Sequence, residues 1–159
     1  PGTSATEIDT IKQLHNRAEL EKLELRNKAA RLSQDREGRK QAGKLYRQIR
    51  STEERLRADL GEDNYDLLLY ANQKNNRVAI SDVLPNSPAD TVGIRTGDII
   101  LSYGGEKILS PQSLYKKTSK GQLGEMINVE IKRNNEIINL YIPRGVIGAR
   151  LKPTLLPPR

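Results

Sequence analysis

The sequence predicts an α+β chain, with a charged helical arm followed by a small antiparallel domain. Three observations carry this. Apolar positions follow a helical period up to about residue 60 and strand-like alternation after about residue 77. Two short Ser-Pro…Gly segments interrupt the strand-like half. Neither is long enough to be a crossover between parallel strands, which removes the α/β class.

The arm spans residues 5–60. Ile11, Leu14, Ala18, Leu25 and Leu32 fall near a three–four spacing, with Leu20 and Leu23 beside them. Ala42, Leu45, Ile49, Leu56 and Leu60 form a second run. Each run puts a narrow apolar stripe on one helix face and Lys, Arg and Glu around the rest. Asp35-Arg36-Glu37-Gly38 marks the bend between two helices, and Gly61 the stop. The pattern fits an antiparallel hairpin or a dimeric coiled coil. Its stripe is too thin for a self-sufficient core, so it calls for a partner surface: a second copy, the following domain or another protein.

Residues 61–76 join the halves. Tyr65, Leu67, Leu68, Leu69 and Tyr70 form an apolar cluster, expected to pack the arm onto the second domain. Asn72-Gln73-Lys74-Asn75-Asn76 reads as a loop.

Strand signals follow at Val78, Ile80 and Val83, at Asp98 to Tyr103, at Met126 to Lys132 and at Ile137 to Ile142. Asn134-Asn135 is a tight-turn pair that tolerates positive φ. One short helix starts at Ser87-Pro88 and stops at Gly93; the other starts at Ser110-Pro111 and stops near Gly121. Both carry Ser as N-cap, Pro at the first helical position and Gly past the end.

Composition bounds the function. The chain has 159 residues, 35% apolar and 30% charged, and its only aromatics are six Tyr. A net charge of +7 alone points to nucleic acid or an anionic membrane surface. Summed by halves it divides into +4 for residues 1–60 and +3 for residues 61–159, with acids interleaved. With no dense basic face and no aromatic platform on that reading, nucleic acid is not the expected partner. The chain has no cysteine, which excludes disulfides, a thiolate zinc site and a Cys nucleophile. No run approaches the roughly 18 apolar residues of a membrane span. Pro1-Gly2-Thr3-Ser4 reads as an expression scar, so any leader, membrane anchor or further domain is expected only outside this sequence. The single His15 sits in a helical run with no nucleophile elbow, phosphate loop or metal-ligand cluster elsewhere. No enzyme activity, cofactor or metal is expected.

The second half resembles a known family. Val83-Leu84-Pro85-Asn86-Ser87-Pro88-Ala89, then Gly93-Ile94, then Gly97-Asp98-Ile99-Ile100 is similar to the signature of bacterial PDZ domains. Such domains occur in periplasmic trypsin-like proteases of the high-temperature-requirement family, in tail-specific and site-2 proteases and in secretion-system components. Gly104-Gly105, Ile108, Gly124-Glu125 and Val129 to Asn134 also fit, so the resemblance covers about residues 77–151. It implies a partly open β-barrel with two short helices. Pro153, Pro157 and Pro158 make residues 152–159 read as an extended, poorly packed tail. The signature residues themselves read as scaffold. The whole chain also resembles a group of proteobacterial envelope proteins. In them a charged helical region leads through Gly-Glu-Asp-x-Tyr-Asp, here Gly61 to Asp66, into a PDZ domain closing on Pro143-Arg144-Gly145.

PDZ domains bind by β-augmentation, and a loop of backbone N–H groups holds the ligand's terminal carboxylate. The loop pattern is any residue, apolar, Gly, apolar. Lys74-Asn75-Asn76-Arg77, before the first strand, lacks it, whereas Val146-Ile147-Gly148-Ala149 has it, after Arg144-Gly145. The resemblance therefore implies a circular permutation in which residues 146–151 line the groove, with Leu151 in the strand. The N–H groups of Ile147, Gly148 and Ala149 would face the carboxylate, and Arg144 would add attraction. Leu114, Tyr115 and Thr118 would form the opposite wall. Alternatives are a plain edge strand with no carboxylate site, and the Tyr65–Ala71 segment as donor or blocker of the groove strand. The expected role is a non-catalytic envelope adaptor that captures an extended or C-terminal peptide, with its arm free to dimerise. A regulatory piece of a periplasmic protease and a structural assembly subunit are the other readings.

Overall fold

The computed structural model describes residues 3–158. Pro1 and Gly2, read above as part of a scar, and Arg159 lie outside the described residues. The chain divides into two compact units, one ending at Leu68 and one beginning at Leu69.

The first unit is an antiparallel hairpin of α1 (Ala5–Ala30) and α2 (Arg36–Leu60), followed by most of α3 (Glu62–Ala71). Ser4 caps α1 in a reciprocal box with Glu7. Asp35 caps α2: its carboxylate accepts from the Gly38 N–H at 2.8 Å and the Ser33 hydroxyl at 2.9 Å. The bend thus falls before Arg36, and Arg36 to Gly38 already belong to the first turn of α2. Gly38 has to be glycine, because a Cβ there would lie 2.0 Å from the Ser33 carbonyl oxygen.

The seam between the helices is only partly apolar, which explains the thin stripe. Ala18, Ala29, Leu45, Leu56 and Leu60 are buried, but so is Lys22, whose ammonium lies 2.7 Å from Glu53 and 2.5 Å from Glu19. Glu21 accepts from Thr52 at 3.0 Å and from Arg55 at 2.7 Å. Leu20 and Leu23 face solvent, and His15 is half-buried. Tyr65 is buried with its hydroxyl donating to Glu53 at 2.7 Å. Burial, then that carboxylate, pushes its ionisation well above the ordinary tyrosine range. The segment around Tyr65 is helical, so it contributes no strand to the sheet.

The second unit holds β1 (Arg77–Val83), α4 (Pro88–Val92), β2 (Ile99–Tyr103), β3 (Glu106–Lys107), α5 (Pro111–Thr118), β4 (Met126–Arg133), β5 (Glu136–Pro143) and β6 (Ala149–Thr154). The sheet runs β5-β4-β2-β1-β6, antiparallel throughout, with β3 as a short partner of β2. Val78, Ile80, Ile100, Ile108, Leu114 and Ile131 lie at the centre of its core. Ser87 and Ser110 cap the two helices as their spacing predicts, and Gly93 ends α4 in the left-handed region. Asn134 and Asn135 take φ of 49° and 66° in the β4–β5 turn. Asp98, scaffold as expected, is buried and receives two hydrogen bonds from the Arg133 guanidinium, at 2.8 and 2.7 Å. Arg133 also reaches the Gly93 carbonyl, so one side chain ties the end of α4 to β4.

Two expectations change. The last strand begins at Ala149 and runs through Thr154, three residues into the segment read as tail. The rest of the tail is pinned rather than poorly packed. Asn76, fully buried, exchanges two hydrogen bonds with the Leu156 backbone at 2.8 and 2.9 Å. No helix among the described residues is long and apolar enough to cross a membrane.

Candidate functional site

β6 is an edge strand: it pairs with β1 on one side, and no strand among the described residues pairs with its other side. The direction of each backbone group follows from the register. In an antiparallel pair, opposed residues alternate between hydrogen-bonded and non-bonded. Leu84 N–H donates to the Gly148 carbonyl at 2.9 Å, so that pair is bonded. The next pair, Val83 and Ala149, is then non-bonded, and Asp82 with Arg150 is bonded again. A bulge at Ser81 follows, where the Ser81 hydroxyl donates to the Arg150 carbonyl. Beyond it, Ile80 directs both backbone groups to the β2 side, towards Asp98 and Gly97. Its opposite number Leu151 is therefore non-bonded to β1, and so is Pro153 opposite Val78. Ala149 and Leu151 thus turn N–H and C=O to the open side, while Pro153 turns only a C=O. A proline is tolerated within a strand at such a place, where no ladder bond requires its N–H.

The loop that leads into this edge is built by close approach. The Ile147 side chain is buried in the core and its carbonyl accepts from the Ala89 N–H at 2.8 Å. Gly148 has φ +77°, and a Cβ on it would stand 2.2 Å from the Ser87 Cβ. With both carbonyls drawn towards α4 and β1, the N–H groups of Ile147 and Gly148 make no hydrogen bond among the described residues. Val146 is 80% exposed, and Gly145 passes so close to Leu123 that a Cβ would meet its Cδ1 at 2.8 Å.

The far wall is α5, which packs beside β6. Leu114 is fully buried in the same core cluster against which Ala149 and Leu151 pack, so it lies beneath the groove rather than along it. Tyr115 is 57% exposed, and Thr118, half-buried, donates its hydroxyl to the Tyr115 carbonyl. Arg144 is already engaged. Its Nη1 donates to the Lys117 and Lys120 carbonyls at 2.9 and 2.6 Å, and its Nε to Glu125 at 3.2 Å. The guanidinium also lies 5.8 Å from the Tyr103 ring centre. Arg144 therefore ties the C-terminal end of α5 to the start of the loop. Sequence reasoning missed this clamp, the Ser87 contact and Pro153; of these, only Pro153 carried a readable signal, that of an edge strand.

An open strand edge, entered through a loop with two unbonded amides and lying beside a short helix, is the architecture of this domain's candidate groove. A family model described as the PDZ domain matches residues 61–143, just over half of the chain, and the chain belongs to that family. The match stops at Pro143 and so includes neither the loop nor β6.

Among curated relatives, the magnetosome formation protease MamE of Paramagnetospirillum magneticum is 30% identical over 71 residues, covering 45% of this chain and 10% of that protein. Serine protease HTRA1 of Xenopus tropicalis is 33% identical over 63 residues, covering 40% of this chain and 13% of that protein. The aligned parts thus span about a tenth of the length of the relatives. Among solved structures, the HtrA3 PDZ domain bound to a phage-derived ligand (FGRWV) is 26% identical, covers 53% of this chain and 76% of that one, and has a TM-score of 0.40.

Proposed function

We propose that this chain is a non-catalytic adaptor of the bacterial cell envelope that captures the C-terminal end of a partner polypeptide by β-augmentation. The open outer edge of β6 carries this reading. A guest strand would pair with the outward groups of Ala149 and Leu151, and its terminal carboxylate would accept from Ile147 and Gly148. Tyr115 and Thr118 would contact its side chains from α5. The envelope location rests on relatives such as the probable periplasmic serine endoprotease DegP-like of Marinomonas sp., 32% identical over 63 residues. Because those relatives are proteases, a second reading is a regulatory piece that feeds a protease domain; such a domain encoded in the same gene would favour it.

The test is a C-terminal peptide library displayed against the full chain, with each hit remade as a C-terminal amide. Losing the carboxylate's charge-assisted bonds should weaken binding about 10-fold or more. Leu151→Pro, which removes one outward N–H while sparing the β1 ladder, should weaken it similarly. Hits that bind equally well as amides and to Leu151→Pro would show that the edge is not the binding site.

A further inference from the structure

The positive charge of this chain is concentrated at one end of the hairpin, which the sum by halves conceals. Residues 25–50 contain nine Lys and Arg against two acids, a net of +7, equal to that of the whole chain. The remaining residues hold 18 of each sign. Eight of the ten acids of residues 1–60 lie outside this stretch, and three of them are engaged across the hairpin, where Glu19 and Glu53 hold Lys22 and Glu21 holds Arg55.

Six of the nine cations are on α2: Arg36, Arg39, Lys40, Lys44, Arg47 and Arg50. At 100° per residue they fall within an arc of about 140° and span about 21 Å. Gly38, Leu45, Thr52 and Leu56, the buried residues of the same helix, lie opposite. The stripe therefore faces away from α1, and no acid enters it before Glu54. Arg26, Lys28 and Arg31 add three cations at the same end of α1. All nine side chains are exposed, and none forms an ion pair among the described residues.

We infer that this stripe docks the hairpin onto an anionic phospholipid surface. Its size matches the clusters of Lys and Arg that hold proteins at charged bilayers. The arc is convex and contains no Asn, Gln or aromatic residue to read or stack on bases, which disfavours nucleic acid. Tyr46, 51% exposed at the border of the arc, offers the amphipathic ring that suits a lipid headgroup layer. The stripe has no apolar wedge, so the attachment is peripheral and weakens with salt. The choice of lipid over nucleic acid also draws on the envelope location proposed above, while vesicle binding is read independently of peptide capture.

Sedimentation of the full chain with phosphatidylglycerol–phosphatidylcholine vesicles, with pure phosphatidylcholine vesicles as reference, tests this without any variant. Binding to the anionic vesicles alone is the expected result. The combined variant Arg39→Gln, Lys40→Gln, Arg47→Gln, checked for helicity by circular dichroism, should partition roughly 100-fold less. Lys74→Gln, Arg95→Gln, Lys132→Gln removes the same charge from the second unit and should change partitioning no more than about threefold. No binding to anionic vesicles, an equal loss in both variants, or tighter binding to a random DNA duplex at the same ionic strength would overturn the inference.

Discussion

Gly148 holds a left-handed backbone conformation and lets Ser87 approach where any side chain would begin. An added Cβ meets both obstacles at once. Gly148→Ala should lower stability by about 2 kcal/mol or more, read from the urea midpoint, and should weaken peptide binding as the loop shifts. An unchanged midpoint would mean that the loop relaxes freely. The glycine was visible in the apolar-Gly-apolar pattern, but its neighbour was not, because Ser87 lies 61 positions earlier in the chain. Arg144 shows the complementary limit. Its charge suggested attraction to a ligand carboxylate, but the carbonyls at the end of α5 are acceptors too, and folding brings them to the guanidinium.

The α2 cap makes a pH-dependent prediction for the hairpin. The backbone N–H of Gly38, and then the Ser33 hydroxyl, hold the Asp35 carboxyl below its ordinary value of 3.8. A carboxyl depressed in the folded state contributes stability that is fully present above its unfolded value and lost as pH falls through the folded one. Helicity of the wild type should therefore fall more steeply than that of Asp35→Asn between about pH 5 and pH 2 when followed by circular dichroism. Parallel curves would remove the cap from the account. Element types were largely legible, since the Ser-Pro starts, Gly93 and the Asn pair each have one strong local reading. Two boundaries were not. Asp35 suits a turn as well as an N-cap, which moved the bend by a few residues. Pro153 normally breaks a strand, so β6 was cut short, although an outward-facing proline leaves the ladder intact.

The molecule consists of two units with unlike interiors. The change of period between residues 60 and 77 made the division readable, because helix and strand bury their faces at different spacing. The location of the charge was lost in the sum by halves, because residues 1–60 average the basic stretch 25–50 with flanking stretches of net negative charge. The sheet unit buries one continuous cluster of mainly Ile, Leu and Val, joined by Ala89 and Tyr103, whereas the hairpin seam is interrupted by Lys22 and Thr52. Amides of α1 and α2 should accordingly exchange hydrogen well before those of β2 and β4, followed by mass spectrometry of the full chain. Equal protection would mean that both units open together.

Pro153 has a consequence for how this molecule behaves in a crowd. Bare strand edges invite copies of the same chain to stack into growing ribbons, and each added copy needs a continuous row of donors and acceptors. Here the row is interrupted one step after Leu151, where a ring replaces the next hydrogen. The dock is long enough for the last few residues of a guest, and the gap limits how far a second copy could pair along this edge.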